Sequence, residues 1–181
     1  LSPVIAIEQK TTSKSPRSTV GTTTEIYDFL RLLFARVADA YSYVSGEKMI
    51  SYSVNEIIEL IQNKFKDQGL ILLAPLVKGR KGHYKDLFEK LAKQGFGKVR
   101  IDGEIVNLQK GLQADRYKIH DIELVVDRIT INEASYSRLK SSVEQTLKIG
   151  AGVVYVIKEK GKSYYYSQHL TCPSSGISYN L

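Results

Sequence analysis

The sequence predicts an α+β fold with a small mixed or antiparallel β-sheet and helices packed against it. Short apolar runs bounded by glycine or by Asp-Gly, which are typical of strands, follow one another along the chain. Between them lie segments whose apolar residues recur every third or fourth position, which is typical of helices. No repeat with a period of about 20 to 50 residues is present, so a solenoid is not indicated.

The N-terminal segment predicts a short strand, a polar loop and an amphipathic helix. Residues 4–7 supply the apolar strand, and Gln9 follows where that strand would emerge into solvent. Thr22 and Glu25 match a capping box that opens the helix. Spacings of four, three and four between apolar residues predict one buried helix face, made by Ile26, Leu30, Leu33 and Val37.

Residues 38–53 form a turn-rich connection that indicates a boundary. Ser53 and Glu56 make a second capping box, which opens a helix that ends before Gly69. The run from Leu70 to Val77 is a short apolar segment bounded by glycine, and it predicts a buried strand. Residues 78–84 predict a basic loop with glycines, followed by a helix that carries its apolar residues on one face: Leu87, Phe88 and Leu91.

The second half of the chain predicts further strands, a helix and a closing hairpin. Residues 98–101 alternate charged and apolar, and Asp102-Gly103 is a hairpin signal before a strand at 104–108. A further strand covers 119–131, and a helix with apolar positions at 139, 143 and 147 ends at Gly150. Residues 153–157 and 163–166 then pair around Gly161. This order favours a ferredoxin-like β-α-β-β-α-β arrangement with extra strands.

Composition limits the classes of protein to consider. No apolar run reaches the ~18 residues that span a bilayer, and no cleavable signal pattern is present, so we expect no membrane contact. The single cysteine excludes an internal disulfide and favours the cytoplasm. The formal charge of +7 comes mainly from residues 54–168, which hold twenty basic and fourteen acidic side chains. Such a surface suits an acidic protein, a nucleic acid or simple solvation.

Catalytic motifs give no support for an autonomous enzyme. The phosphate-binding pattern GxxxxGK[ST] does not occur, and the segment GRKGHY has the wrong spacing and lacks the hydroxyl. No nucleophile and base stand close together in the sequence. We therefore expect no catalytic residues in this chain and no ATP hydrolysis by it alone.

Three stretches carry a specific family resemblance. QKTTSKSPRSTVGTTTEIYDFLRLLFAR, at residues 9–36, resembles the Q-loop and following helix of UvrA, the ATP-dependent damage-recognition subunit of bacterial nucleotide excision repair. APLVKGRKGHYKDLFEKLAKQGFGKVRIDGE and HDIELVVDR continue the resemblance, as does the terminal CPSSGIS. The resemblance implies a Q-loop strand and helix of an ABC-type ATPase domain at 1–53, an inserted UvrB-binding domain at 54–168, and a return segment at 169–181.

The same resemblance implies roles for particular residues. Gln9 matches the glutamine that lies near Mg²⁺ and the γ-phosphate of ATP, so the parent protein would use both as cofactors. UvrA proteins commonly carry cysteines where this chain has Ser42, Ser45 and Ser175, and only Cys172 remains. Serine is a poor zinc ligand, and neither His120 nor His169 has a partner at metal-site spacing, so we expect no metal and no zinc.

The partner implied by the resemblance is an acidic surface of UvrB. Lys98, Arg100 and Asp102 alternate and are expected to share a face, and Arg128 lies in the VVDR motif. Lysine at position 98 departs from the arginine of the family pattern and lacks its bidentate fork. Second-rank contacts are Arg80, Lys81, Arg116 and Lys118. The alternative is a basic nucleic-acid-binding surface. The parent is expected to be a homodimer that meets damaged DNA through its other parts.

Overall fold

A computed structural model describes residue 24 and residues 26–158 and 163–172. The chain divides into two compact units, Leu1–Ala40 and Tyr41–Leu181. In the first unit, helix α1 spans Ile26–Val37, as its periodicity predicts, but none of its residues is buried. The expected burial of its apolar face is therefore wrong for this structure, because no second element among the unit's described residues covers it. The predicted strand at 4–7 and Gln9 lie outside the described residues.

The second unit is built on one antiparallel sheet, which confirms the α+β prediction. Its six described strands lie in the order β3-β2-β4-β1-β5-β6, and every neighbouring pair is antiparallel. The elements, in chain order, are α2 (Val54–Lys64), β1 (Gly69–Lys81), α3 (Lys85–Lys93), β2 (Lys98–Ile101), β3 (Glu104–Asn107), β4 (Ile119–Thr130), a short 3-10 helix (Glu133–Ser135), α4 (Tyr136–Ile149), β5 (Val153–Lys158) and β6 (Ser163–Ser167).

The four inner strands have the ferredoxin-like arrangement that the element order suggests. β5, β1, β4 and β2 lie side by side, so β1 and β2 are parallel to each other with antiparallel β4 between them. Strand β3 adds an edge next to β2, and β6 adds the other edge next to β5. The sequence left open whether the sheet is mixed or antiparallel, and the pairing shows the second.

All described helices of this unit pack on one face of the sheet. Helices α2 and α4 cover the half made by β1, β5 and the end of β4, where Ile61, Leu72 and Val143 are fully buried. Helix α3 covers the other half, with Phe88 against Val99 of β2. The capping box of α2 forms as predicted, because Glu56 N donates to Ser53 Oγ at 3.3 Å and Ser53 N donates to Glu56 Oε2 at 2.7 Å.

The opposite face of the sheet carries no helix among the described residues. Its apolar centre is a small cluster from three central strands, made by Ile71, Leu73, Val125 and Ile157. We call this surface the helix-free face. Its buried centre is screened by the longer side chains around it, which are partly polar and which form the candidate site below.

Strand β1 is longer than its apolar run. Residues 78–81 continue the strand, so the predicted loop at 78–84 is wrong in its first half. The pairing of β1 with β4 continues irregularly to Lys81, which extends the strand past Val77 despite its glycine and charges. Pro75 is tolerated in this central strand because β5 pairs only with residues 70–73 and so requires no N–H donor farther along.

None of the helices in the described part of the chain is both long and apolar enough to cross a lipid bilayer.

Candidate interaction surfaces

Strand β2 places two of the predicted contact residues on the helix-free face. Val99 is buried against α3, and side chains alternate along a strand, so Lys98 and Arg100 point to the other side. Lys98 is exposed. Asp102 does not continue this alternation, because β2 ends at Ile101 and Asp102 adopts a left-handed conformation in the turn, with φ of 51°. The expectation that all three share a face is therefore wrong for Asp102.

The acidic and basic residues of the VVDR motif lie on opposite faces of the sheet. Asp127 lies on the helix side, where its carboxylate accepts hydrogen bonds from Arg138 Nη2 at 2.6 Å and Ser142 Oγ at 2.6 Å, both on α4. Burial alone would raise the pKa of Asp127, but these hydrogen bonds from α4 keep it below its usual range. Arg128 pairs with Ile71 across the strands and is exposed on the helix-free face.

Arg100 directs its guanidinium into the protein. It lies directly opposite Glu123 of β4, and two bonds join them, Nε to Oε2 at 3.1 Å and Nη2 to Oε1 at 2.8 Å. The two side chains are only 13% and 7% exposed. A third bond runs from Arg100 Nη1 to Ser163 Oγ at 3.2 Å. The hydrogen bonds to Glu123 raise the pKa of the Arg100 guanidinium further above its ordinary value.

Two tyrosines complete the helix-free face on the β5 and β6 side. Tyr155 and Tyr165 are paired across the strands, with ring centroids 5.4 Å apart. Burial, with Tyr165 beside it, raises the pKa of Tyr155 to about 12, so this phenol stays neutral at physiological pH. The face therefore combines two exposed cations, Lys98 and Arg128, with the neutralised Arg100–Glu123 ion pair and the tyrosine pair of β5 and β6.

At the far end of the sheet, His120 holds the β2–β3 turn and the loop before β4 together. Its Nδ1 lies 2.6 Å from Asp102 Oδ2, and its Nε2 lies 2.8 Å from the carbonyl oxygen of Asp115. Both neighbours accept hydrogen bonds, so the protonated imidazole, with two N–H donors, satisfies both. The bond to Asp102, followed by the bond to Asp115, raises the pKa of His120 above its ordinary value.

The second-rank residues gather at this same end, away from the helix-free face contacts. Arg80 and Lys81 end strand β1 and pair with His120 and Ile119. Arg116 and Lys118 lie in the loop that His120 anchors, and all four side chains are exposed. We call these four residues the basic end. The structure thus divides the predicted contact residues into two groups, with Asp102 beside the second.

Of the serines at the expected thiolate positions, Ser45 lies beside Cys172. Ser42 Oγ accepts hydrogen bonds from the backbone N–H groups of Val44 and Ser45, at 3.3 and 3.4 Å. Ser45 Oγ lies 3.1 Å from the Sγ of Cys172, which is fully buried. Ser175 lies outside the described residues. Within the described part of the chain, no group of three or more His, Cys, Asp and Glu side chains could hold a metal ion.

Sequence reasoning missed three residues that shape these surfaces. Glu123 could have been identified from the sequence, because it is the one carboxylate within the apolar run 122–126 of β4 and a buried carboxylate requires a cation. Tyr155 gave no signal, because an aromatic residue in an apolar strand is ordinary core. His120 was considered only as a metal ligand, whereas its partners come from two loops that the sequence does not place together.

Comparison with known proteins identifies the family. Residues 52–160, which run from just before α2 into the β5–β6 connection, match the model of the UvrA interaction domain. The chain is 44% identical to UvrABC system protein A of Thermus thermophilus and 42% identical to those of Aquifex aeolicus and Bacillus subtilis.

Each of these matches covers 97 to 98% of the chain but only 19% of the relative's length. The chain therefore spans about a fifth of the relatives it matches. The matched residues contain the basic end and the part of the helix-free face formed by β1, β2, β4 and β5, including Lys98 and Arg128. Together these findings show that the chain belongs to the UvrA family and contains its interaction domain.

Proposed function

We propose that the helix-free face binds an acidic surface of UvrB and thereby recruits UvrB to damaged DNA in nucleotide excision repair. The observation that carries this proposal is the common placement of Lys98 and Arg128. Both are exposed on one sheet face within the interaction domain, one strand apart, with Cα atoms roughly 10 Å from each other. Such a pair can meet two carboxylates at once.

The other residues of the helix-free face support this assignment. The Arg100–Glu123 pair is already neutralised, so it adds polarity without competing for the partner's carboxylates. Tyr155 and Tyr165 are amphipathic aromatic residues of the kind enriched at protein interfaces. Arg100 is therefore proposed to hold the shape of the face, while Lys98 and Arg128 make the contacts.

The nucleotide part of the proposal concerns the whole protein. Gln9 remains a prediction as a sensor of ATP and Mg²⁺, both held by other parts of the parent, and we propose no ATP hydrolysis by this chain alone. The name of the relatives, UvrABC system protein A, is the basis for assigning the chain to excision repair. A parent homodimer in the cytoplasm belongs to the same proposal.

Calorimetric titration of the chain with UvrB tests the contact. Arg128→Glu and Lys98→Glu should each weaken binding more than tenfold, which corresponds to about 1.4 kcal/mol, because a like charge would face the partner's carboxylates. Lys140→Glu is the matched control, since Lys140 is exposed on α4 at the helix-covered face. Unchanged affinity in both face variants, or equal loss in the control, would remove the helix-free face from the contact.

A further inference from the structure

Strand β4 contains a β-bulge directly before Arg128. Neighbouring residues of β1 pair with Val125 and Asp127 of β4, so Val126 between them is an extra residue. Val126 and Asp127 consequently lie on the same side of the sheet, where Val126 packs in the cluster beneath α3 and Asp127 is bonded to α4. The alternation of side chains then resumes, with Arg128 on the helix-free face.

The core fixes this strand on both sides of the bulge, but it does not fix the bulge itself. Val125 belongs to the cluster of the helix-free face, and Ile129 is buried in the core under α2 and α4. A bulge one residue farther along would keep both in place, but Asp127 would then share the helix-free face with Arg128. Its carboxylate would offset the charge of the guanidinium and repel an acidic partner. The position of the bulge therefore decides whether Arg128 is presented alone.

Hydrogen bonds to the Asp127 carboxylate hold the bulge in its observed position. Arg138 donates from Nε to Oδ2 at 3.0 Å and from Nη2 to Oδ1 at 2.6 Å. Ser142 Oγ donates to Oδ2 at 2.6 Å, and the backbone N–H of Arg128 donates to Oδ1 at 2.8 Å. The carboxylate thus accepts four bonds while its side chain is only 17% exposed. Moving Asp127 to the helix-free face would break the three bonds that come from the side chains of α4.

The same network holds the backbone of Arg128. Its N–H is bound to Asp127, and its carbonyl oxygen accepts a hydrogen bond from Arg138 Nη2 at 3.2 Å. Strand β2 pairs with β4 only at 122–124, so none of the described strands lies along this edge of β4 beside Arg128. Asp127 and Arg138 supply the hydrogen bonds that a neighbouring strand would otherwise make. The Arg138 side chain is 62% exposed, so it is not required to fill the core.

We propose that Asp127, Arg138 and Ser142 are positioning residues for partner binding, which hold the bulge of β4 where it presents Arg128, and not Asp127, to the acidic partner. This inference rests on the proposed UvrB contact, because it concerns how one of the two contact cations is presented. The three residues act from the helix-covered side of the sheet, so none of them needs to touch the partner.

A double-mutant cycle, measured by calorimetric titration of the chain with UvrB, tests the proposal. Arg138→Gln should weaken binding about three- to tenfold, because the bulge is then free to move and Asp127 can offset the charge of Arg128. In a chain that already carries Arg128→Gln, the same substitution should weaken binding by less than about 1.5-fold, because the group that it positions is absent.

The matched control is Lys140→Gln, which removes one positive charge from another exposed site on α4 and should leave the affinity unchanged. Ser142→Ala is a second variant of the network and should show the same dependence on Arg128 as Arg138→Gln. Equal losses with and without Arg128 would overturn the proposal, because general destabilisation or lost charge acts in both backgrounds. Thermal melting verifies that each variant is folded at the temperature of the titration.

Amide hydrogen exchange of the chain alone separates this proposal from the UvrB contact. Arg138→Gln should speed exchange at 126–128, where the network holds the backbone, and leave exchange at 98–101 of β2 unchanged. Unchanged exchange at 126–128 would overturn the positioning role, whatever the affinity for UvrB. Faster exchange there, together with an affinity that Arg128→Gln does not alter, would refute the contact of Arg128 with UvrB and with it the role of the network in binding.

Discussion

At the scale of single residues, charged side chains on this sheet divide into those that act within the fold and those that face outward. Arg100 and Glu123 are opposite each other and largely buried, so each satisfies the other's charge. Lys98, only two residues from Arg100, is exposed. Lys98 and Arg100 are therefore close in sequence but differ in environment: Lys98 is exposed, whereas Arg100 is paired with a buried carboxylate. Only the position of Glu123 distinguishes them.

Removing the carboxylate of this pair should destabilise the domain. Glu123→Gln leaves the Arg100 guanidinium without its counter-charge, and we expect a loss of about 2 kcal/mol, less than the ~3–5 kcal/mol of a fully buried pair because Arg100 keeps some solvent access. Urea denaturation measures the change. Glu144→Gln, at an exposed site on α4, should alter the unfolding midpoint little, and equal midpoints for both variants would contradict the prediction.

At the scale of elements, the junction between α4 and β5 depends on a close approach of backbone to Pro75. Gly150 ends α4, and its N–H donates to the carbonyl oxygen of Thr146 at 2.8 Å. A Cβ at Gly150 would lie 2.3 Å from the carbonyl oxygen of Val153 and 2.9 Å from Pro75 Cδ. The glycine therefore sets how tightly the helix turns into the edge hairpin.

Gly150→Ala should consequently be destabilising. The new methyl group must displace backbone at Val153, and we expect a loss of roughly 2 to 3 kcal/mol, at the upper end of overpacking effects. Differential scanning calorimetry provides the measurement. Gly69→Ala at the start of β1 is the control, because a Cβ added there would meet nothing within 4 Å and its backbone is unstrained. A melting temperature that stays at the wild-type value in Gly150→Ala would refute the argument.

The loop that carries Arg116 and Lys118 should respond to pH through His120. The folded pKa of His120 is raised, so its stabilising contribution is full below the unfolded value of about 6.5 and is lost as pH rises through the folded pKa. Burial opposes ionisation of Asp102, yet its hydrogen bonds from Asp121 N and His120 lower its pKa, so it stays charged throughout this window. The Asp115 carboxylate, Lys118 and the Tyr84 ring are the other nearby groups.

Chemical denaturation between about pH 6 and 9 checks this expectation. Wild-type stability should decline with rising pH across that window, and Asp102→Asn should flatten the decline because the imidazolium loses its charged acceptor. A parallel decline in the variant would show that other groups cause the pH dependence.

At the scale of the whole molecule, periodicity and turn signals were enough to predict the α+β class and almost every element of the sheet domain. A helix start was marked by Ser53 with Glu56, and a hairpin was marked by Asp102 with Gly103, because both signals are local. The continuation of β1 to Lys81 was not predictable in this way, since it depends on pairing with β4. Lys98 and Arg128 were chosen through the family resemblance and remain proposed contacts, and their separation from Arg80 and Lys118 required strand register.

The strand order also affects how this domain folds during its synthesis. Of the two strands that pair with the central strand β1, β4 is synthesised first, and its residues follow those of β1 by roughly 40 to 60 positions along the chain. At synthesis rates of about 5 to 20 residues per second, the apolar run at 70–74 emerges and waits several seconds before its partner exists. During that interval the segment is an exposed apolar part of the nascent chain and can aggregate. The yield of this domain in a cell should therefore depend on the rate of translation and on chaperones that bind the segment.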